Sequence, residues 1–206
     1  MVISKVLALT LIGRVSYHSK MFRNASAIAL FALVLLTVPV RAEEFSQHFV
    51  AVNPPQPLPA FVFEDSKGQT LRLADFRGHA VLLNLWATWC GPCIEEMPAL
   101  DKLQALVGAD KLTIIALDQE RNASVGVTAA FFKRHGVQNL QIFNDPSGRI
   151  SSLLHVSVLP MSILIDSDGH EIGTVEGSVN WAEPDAVKFI EHQLAKTSND
   201  FANHGI

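Results

Sequence analysis

Apolar runs and polar, turn-forming segments alternate along this chain in a way that predicts an α/β domain. Phe61-Val62-Phe63 and Thr70-Leu71-Arg72-Leu73 flank a Lys67-Gly68 turn and read as a hairpin near the start of that domain. Asp75-Phe76-Arg77-Gly78 makes a short helical turn ended by its glycine. Ala80 to Trp86 is an apolar run of the kind found in a central strand buried on both faces. A helix starts at Gly91 and continues to Val107, with Pro98 inside it, where a lost hydrogen bond should kink the axis.

The alternation continues. Lys111 to Leu117 is a second apolar strand, and Ser124 to His135 is a helix that Gly136 stops. Leu140 to Phe143 reads as a short strand, Asp145-Pro146-Ser147-Gly148 as a turn, and Arg149 to His155 as a short helix. Met161 to Ile165 and Glu171 to Val175 are strands around the hairpin signal Asp166-Ser167-Asp168-Gly169. Glu183 to Ala195 is an amphipathic helix, and residues 197–206 are expected to be a flexible tail. Early βα alternation that ends in a hairpin predicts a mixed central sheet with helices on both faces. Ahead of it, 43–52 is poorly patterned and Asn53-Pro54-Pro55-Gln56-Pro57-Leu58-Pro59 excludes a helix. That proline-rich lead-in, 43–59, places the start of the domain near Ala60 and its end near Lys196.

Composition narrows the function. The net charge is −4 and no basic run is long enough for a nucleic-acid surface, so that partner is set aside. Both cysteines, Cys90 and Cys93, lie in one motif, whereas a scaffold stapled by structural disulfides needs more of them. They pair with each other or with a partner. The N-terminus points outside the cytoplasm: Ala25 to Val38 is almost wholly apolar, Lys20 and Arg23 precede it, and Val40-Arg41-Ala42 closes it. Residues 1–42 read as a signal peptide cut after Ala42, with Met21 as an alternative start, or as a membrane anchor. The absence of a cysteine near Ala42 excludes a lipid-modified N-terminus.

The candidate chemistry is Trp89-Cys90-Gly91-Pro92-Cys93, at the junction between an apolar strand and a helix. A cysteine at a helix N-cap faces unpaired N–H groups and the positive end of the helix dipole, which stabilise a thiolate and lower its pKa. Two intervening residues let the sulfurs meet within a turn, and Pro92 fits the first turn because its missing N–H is not needed there. The site reads as redox. A zinc site would need about four ligands, and the eight histidines are scattered, with His155 the nearest third ligand. Copper binding by the two thiolates is the alternative, since soft ligands suit Cu(I).

Trp86 to Pro98, with the order of elements around it, resembles the thioredoxin-fold proteins, and within them the TlpA/ResA group of extracytoplasmic thiol–disulfide reductases. Three features carry the resemblance: Trp89-Cys90-Gly91-Pro92-Cys93, Leu159-Pro160 before a strand, and Glu95-Glu96-Met97-Pro98. It implies a thioredoxin-like fold with an N-terminal β-hairpin extension, and no organic cofactor or metal. It implies that Leu159–Pro160 is a cis bond set against the dithiol. Trp89, Gly91, Pro92, Leu159 and Pro160 would then meet an extended substrate segment. Where thioredoxin has a buried aspartate this chain has Asn84, and Glu96 falls where the TlpA/ResA pattern supplies a carboxylate. Glu96 lies three residues after Cys93 on one helix face, and burial would raise its pKa so that it helps deprotonate Cys93. Glu95 beside it reads as an exposed helix residue, and Trp86 and Trp89 as packing residues, with Trp89 partly shielding the dithiol. The partners implied are protein disulfides and a membrane-embedded thiol electron donor, with cytochrome c or copper-site assembly as the setting. A disulfide-donating oxidase of the same fold is the rival, but it would carry a long helical insertion and different residues between the cysteines.

Overall fold

Ala80–Trp86 is buried at every position, and it forms the strand on which the sheet is built. The computed structural model describes residues 45–121 and 124–204; the signal or anchor segment and its cleavage site lie outside the described residues. The strands are β1 (Phe49–Pro57), β2 (Val62–Asp65), β3 (Thr70–Arg72), β4 (Ala80–Trp86), β5 (Leu112–Asp118), β6 (Phe143–Asn144), β7 (Met161–Ile165) and β8 (His170–Glu176). The helices are α1 (Gly91–Val107), α2 (Val125–His135), α3 (Ile150–Leu153) and α4 (Pro184–His204). The eight strands make one mixed sheet in the order β1-β8-β7-β4-β5-β6-β2-β3, with β4 parallel to β5 and antiparallel to β7.

Side-chain alternation along β4 divides the core. Leu82 and Trp86 join a cluster with Leu100 and Leu103 of α1, Phe131 and Phe132 of α2, and Ala186 and Ile190 of α4. Val81, Leu83 and Leu85 face the other way, into a cluster with Phe61, Phe63, Phe143 and Ile150. Helices therefore cover both faces, but unequally. Three pack on one side, while the other is sealed by the single turn of α3 and by phenylalanines such as Phe63 and Phe76, whose rings stack 6.1 Å apart.

The strand expected at Leu140 to Phe143 begins only at Phe143. The reason lies on α1. The buried Asp101 carboxylate accepts from the backbone N–H groups of Gln138, Asn139 and Leu140 at 2.9, 2.6 and 3.1 Å. Donors taken by a side chain cannot enter a ladder. Gln104 performs the complementary task beside the first half of β5, which β6 does not reach. Its Nε2 donates to the Leu112 carbonyl at 2.8 Å and its Oε1 accepts from Ile114 N–H at 2.7 Å, as a neighbouring strand would. The expected helix at Arg149 to His155 is likewise shorter, and the buried Asp145 carboxylate accepts from Arg149 N–H and Ile150 N–H at its start.

Both ends of the domain differ from expectation. The proline-rich lead-in is a strand, β1, preceded by a 3-10 turn at Phe45–His48, so the ordered body begins before Ala60. Proline lacks an N–H and is confined to edge strands, and β1 is an edge: among the described strands it pairs only with β8, and the register jumps between Ala51 and Gln56 where the prolines fall. At the other end, the backbone expected to be a loose tail continues α4 to His204.

Close packing holds β1 to the sheet. A Cβ added to Gly173 of β8 would sit 2.1 Å from Phe49 Cζ and 2.7 Å from the Val50 carbonyl oxygen. Gly173→Ala is therefore expected to lower unfolding stability by about 1–3 kcal/mol, the usual cost of overpacking. Urea unfolding of the two proteins checks this; an unchanged midpoint would mean that β1 detaches freely.

Candidate active site

The chain leaves β4 at Trp86, turns through Ala87, Thr88 and Trp89, and enters α1 with Cys90 as its N-cap. Several bonds fix that turn. Gln119 N–H donates to the Trp86 carbonyl at 2.8 Å, Cys90 N–H to the Ala87 carbonyl at 3.1 Å, and the Thr88 hydroxyl to the Glu120 carboxylate. Cys90 and Cys93 are joined as a disulfide with Cα atoms 5.3 Å apart. Cys90 Sγ accepts from the Cys93 backbone N–H at 3.3 Å, so the N-terminal sulfur lies where the first turn directs its free donors. Pro92 occupies the first turn without cost.

The two sulfurs are shielded while the residues beside them are not. Cys90 is 5 % exposed and Cys93 1 %, whereas Trp89 is 70 % exposed and so stands out from the surface more than it covers the dithiol. Gly91 and Pro92 are exposed as well. Trp86 packs inward as expected, its ring 4.8 Å from that of Phe131. The Leu159–Pro160 bond is cis. Because Leu85 pairs with Met161 across β4 and β7, this bond lies at the end of the sheet from which the dithiol turn departs. His155 terminates α3 with a positive φ of 56°. Among the described residues no group of three or more His, Cys, Asp or Glu could hold a metal ion.

Glu96 is buried, 2 % exposed, one turn along α1 from Cys93, while Glu95 is exposed. Three donors from two parts of the chain, β4 and the loop before α4, reach its carboxylate. Asn84 Nδ2 of β4 reaches Oε2 at 3.3 Å, and Val179 N–H reaches Oε1 at 3.3 Å. The Trp181 indole N–H also donates to Oε1. Burial outweighs these donors and raises the Glu96 pKa from 4.5 to about 7. A carboxyl poised there takes and gives up a proton at neutral pH. Asn84 also donates to Ser162 Oγ at 2.9 Å, and its own Oδ1 has no partner. Turning this amide by 180° presents Oδ1 to Glu96, so one side chain can serve both the carboxylate and the neutral acid.

Trp181, Val179 and Ser162 were not among the expected site residues. Trp181, a lone tryptophan ahead of the last helix, was the available signal, since a buried indole needs an acceptor. Asp118, at the end of β5 opposite Trp86, was missed as well. Burial raises its pKa, and it accepts from Thr128 Oγ1 at 3.0 Å and from Glu120 N–H at 2.9 Å.

With this geometry in place, the similarities to known proteins are specific. The family model for redoxin matches residues 54–190. The chain belongs to the redoxin family. Its ResA-like character shows in the thiol-disulfide oxidoreductase ResA of Geobacillus kaustophilus, 32 % identical over 158 residues, covering 76 % of this chain and 87 % of that one. ResA of Bacillus thuringiensis subsp. konkukian is 37 % identical over 119 residues, 58 % of this chain and 67 % of the relative. Among solved structures, the exposed lipoprotein thioredoxin Etrx1 of Streptococcus pneumoniae superposes with a TM-score of 0.54 at 27 % identity, covering 67 % of this chain and 99 % of that one. A DsbF homologue from Corynebacterium diphtheriae, at 20 % identity and a TM-score of 0.56 over 77 % of this chain and 95 % of that one, shares the fold. This redoxin is a thiol–disulfide oxidoreductase of thioredoxin-like fold.

The Glu96 carboxyl has a thermodynamic signature. Its native pKa, about 7, lies above the ordinary 4.5, so the native state holds the proton more tightly than the unfolded chain. The contribution to stability is present below pH 4.5 and is lost as pH rises through 7. The loss is about 3 kcal/mol on the scale of 1.4 kcal/mol per unit. Asp118 adds a slope of the same sign. Urea unfolding of the oxidised protein at pH 5 and pH 8 should show Glu96→Gln losing less stability between them than the wild type. Equal losses would place the carboxyl at its ordinary pKa.

Proposed function

We propose that this redoxin is an extracytoplasmic reductase that delivers two electrons to disulfides in other proteins. The observation that carries the reading is a Cys90–Cys93 pair at a helix N-terminus with a buried, neutral-pH carboxyl, Glu96, one turn behind it. In the reduced enzyme the Cys90 thiolate attacks a substrate disulfide, forming a mixed disulfide and releasing one substrate thiolate. Cys93 passes its proton to Glu96 and attacks Cys90 Sγ, which expels the second substrate thiolate and leaves the enzyme oxidised. Substrate gains two electrons and the Cys90–Cys93 pair loses them.

Trp89, Gly91 and Pro92 are exposed around the buried sulfurs, a surface suited to an incoming segment. Leu159 and Pro160 would align that segment as an added strand through its main chain, independent of sequence. Residues 1–42 supply export, as signal peptide or anchor, and a cut after Ala42 spares Phe45, the first buried residue among those described. Outside the cytoplasm the oxidised pair must be reduced again by a thiol carrier in the membrane, because the surroundings are oxidising. Cytochrome c or copper-site assembly is the setting the family resemblance favours.

Two measurements test this. Cys93→Ala should accumulate a mixed disulfide through Cys90 with a protein disulfide such as insulin, seen as a mass increase that dithiothreitol removes; Cys90→Ala should not. The reduction potential of the pair should lie near the thioredoxin value of about −270 mV. A value near the −120 mV of a strong periplasmic oxidant would sink the reductase reading and assign disulfide donation.

A further inference from the structure

The exchange chemistry uses the Glu96 carboxyl but does not explain what encloses it. Trp181, whose indole donates to Glu96 Oε1, is 1 % exposed. Its far side is covered by Phe45, with ring centroids 5.1 Å apart and the planes tilted by 56°. Phe45 is 6 % exposed, and its ring also lies 5.3 Å from Phe189 of α4, which in turn packs 4.8 Å from Phe49 at the start of β1. A continuous line of contacts thus runs from the N-terminal edge of the domain to the carboxyl behind the dithiol.

We propose that the strap formed by the 3-10 turn and β1 belongs to the active-site apparatus, with Phe45 a positioning residue that covers the Trp181 indole and keeps water from that side of the Glu96 carboxyl. This rests on the exchange reading above and adds to it a part of the chain far from the cysteines. The arrangement is directional. Glu96 also borders a groove lined by Glu95, Lys102, Val179, Asn180 and Ala182, on which its proton can meet solvent. Phe45 and Trp181 form a different wall. Sealing that wall leaves the groove as the route by which the carboxyl equilibrates with bulk water while substrate occupies the dithiol face.

The charged and titratable groups around the carboxyl are few. Glu95 and Lys102 line the same groove from α1, and Cys93 precedes Glu96 by one turn. β4 and β7 contribute the neutral Asn84 and Ser162. The loop before α4 contributes Asn180, which bonds Glu183 at 2.8 Å, and the strap contributes His48, 6.3 Å from Phe45.

The test follows the Glu96 side-chain carboxyl by 13C NMR of the oxidised full chain as pH is varied, so that it needs no turnover. Trp181→Phe keeps the ring but removes a donor to the carboxylate, and the midpoint should rise by about one pH unit. Phe45→Ala lets water reach the indole and the carboxyl, and the midpoint should fall by about one unit, toward the ordinary range. Phe45→Leu preserves apolar cover and should keep the wild-type midpoint, even if Phe45→Ala proves too unstable to titrate. Opposite shifts from two neighbours are not what loss of packing alone produces. The proposal is overturned if Phe45→Ala lowers the unfolding midpoint and leaves the titration unmoved, or if Phe45→Leu shifts it as much as Phe45→Ala does. The exchange reading fails separately, if Glu96→Gln leaves the rate and pH profile of disulfide exchange unchanged; that result leaves the titration shifts intact.

Discussion

A carboxyl group is hidden behind the dithiol, and much of the structure is arranged to keep it there. An ionised carboxylate without partners costs several kcal/mol to bury, so Glu96 is tolerated only because Asn84 of β4, the Val179 N–H and the Trp181 indole each aim a donor at it. The donors do not fully compensate for the lost water. The remaining imbalance appears as proton affinity, which puts the pKa at about 7. A carboxyl held at that affinity can take up or release a proton near neutral pH.

α1 is where this constraint meets the rest of the fold. Its buried face carries Cys93, Met97, Leu100, Leu103 and Val107 at helical spacing, as any core helix would. Interleaved with them are Glu96, Asp101 and Gln104, all buried and all polar. Asp101 holds the backbone after α2, and Gln104 stands in for a strand beside β5. The helix thus serves the site at its first turns and completes the sheet's hydrogen bonding at its later ones. Moving α1 along its axis would break both sets of contacts, so the register of the dithiol is locked by the same residues that finish the fold.

The two cysteines occupy different settings within one motif. Cys90 caps the helix at the end of a turn whose flanks, Trp89, Gly91 and Pro92, face solvent. Cys93 lies one turn inward, above Glu96. A helix N-terminus provides this polarity because exposed donors and buried side chains are only one turn apart.

Much of this was written in local pattern. The apolar run Ala80 to Trp86 is β4 to the residue, and Met161 to Ile165 is β7, because a strand buried on both faces admits few polar residues. The start of α1 was legible because glycine, proline and a capping cysteine act within one turn. Tertiary structure decided what local pattern cannot encode, which is where a donor finds its acceptor. Leu140 looked like strand until Asp101, 39 residues away, took its N–H. The prolines before Ala60 excluded helix, yet pairing with β8 made an edge strand of them. Glu96 announced a carboxylate, but its partner Trp181 lies 85 residues further on. Periodicity states which side chains must leave water; only the closed fold settles which buried polar groups then satisfy one another.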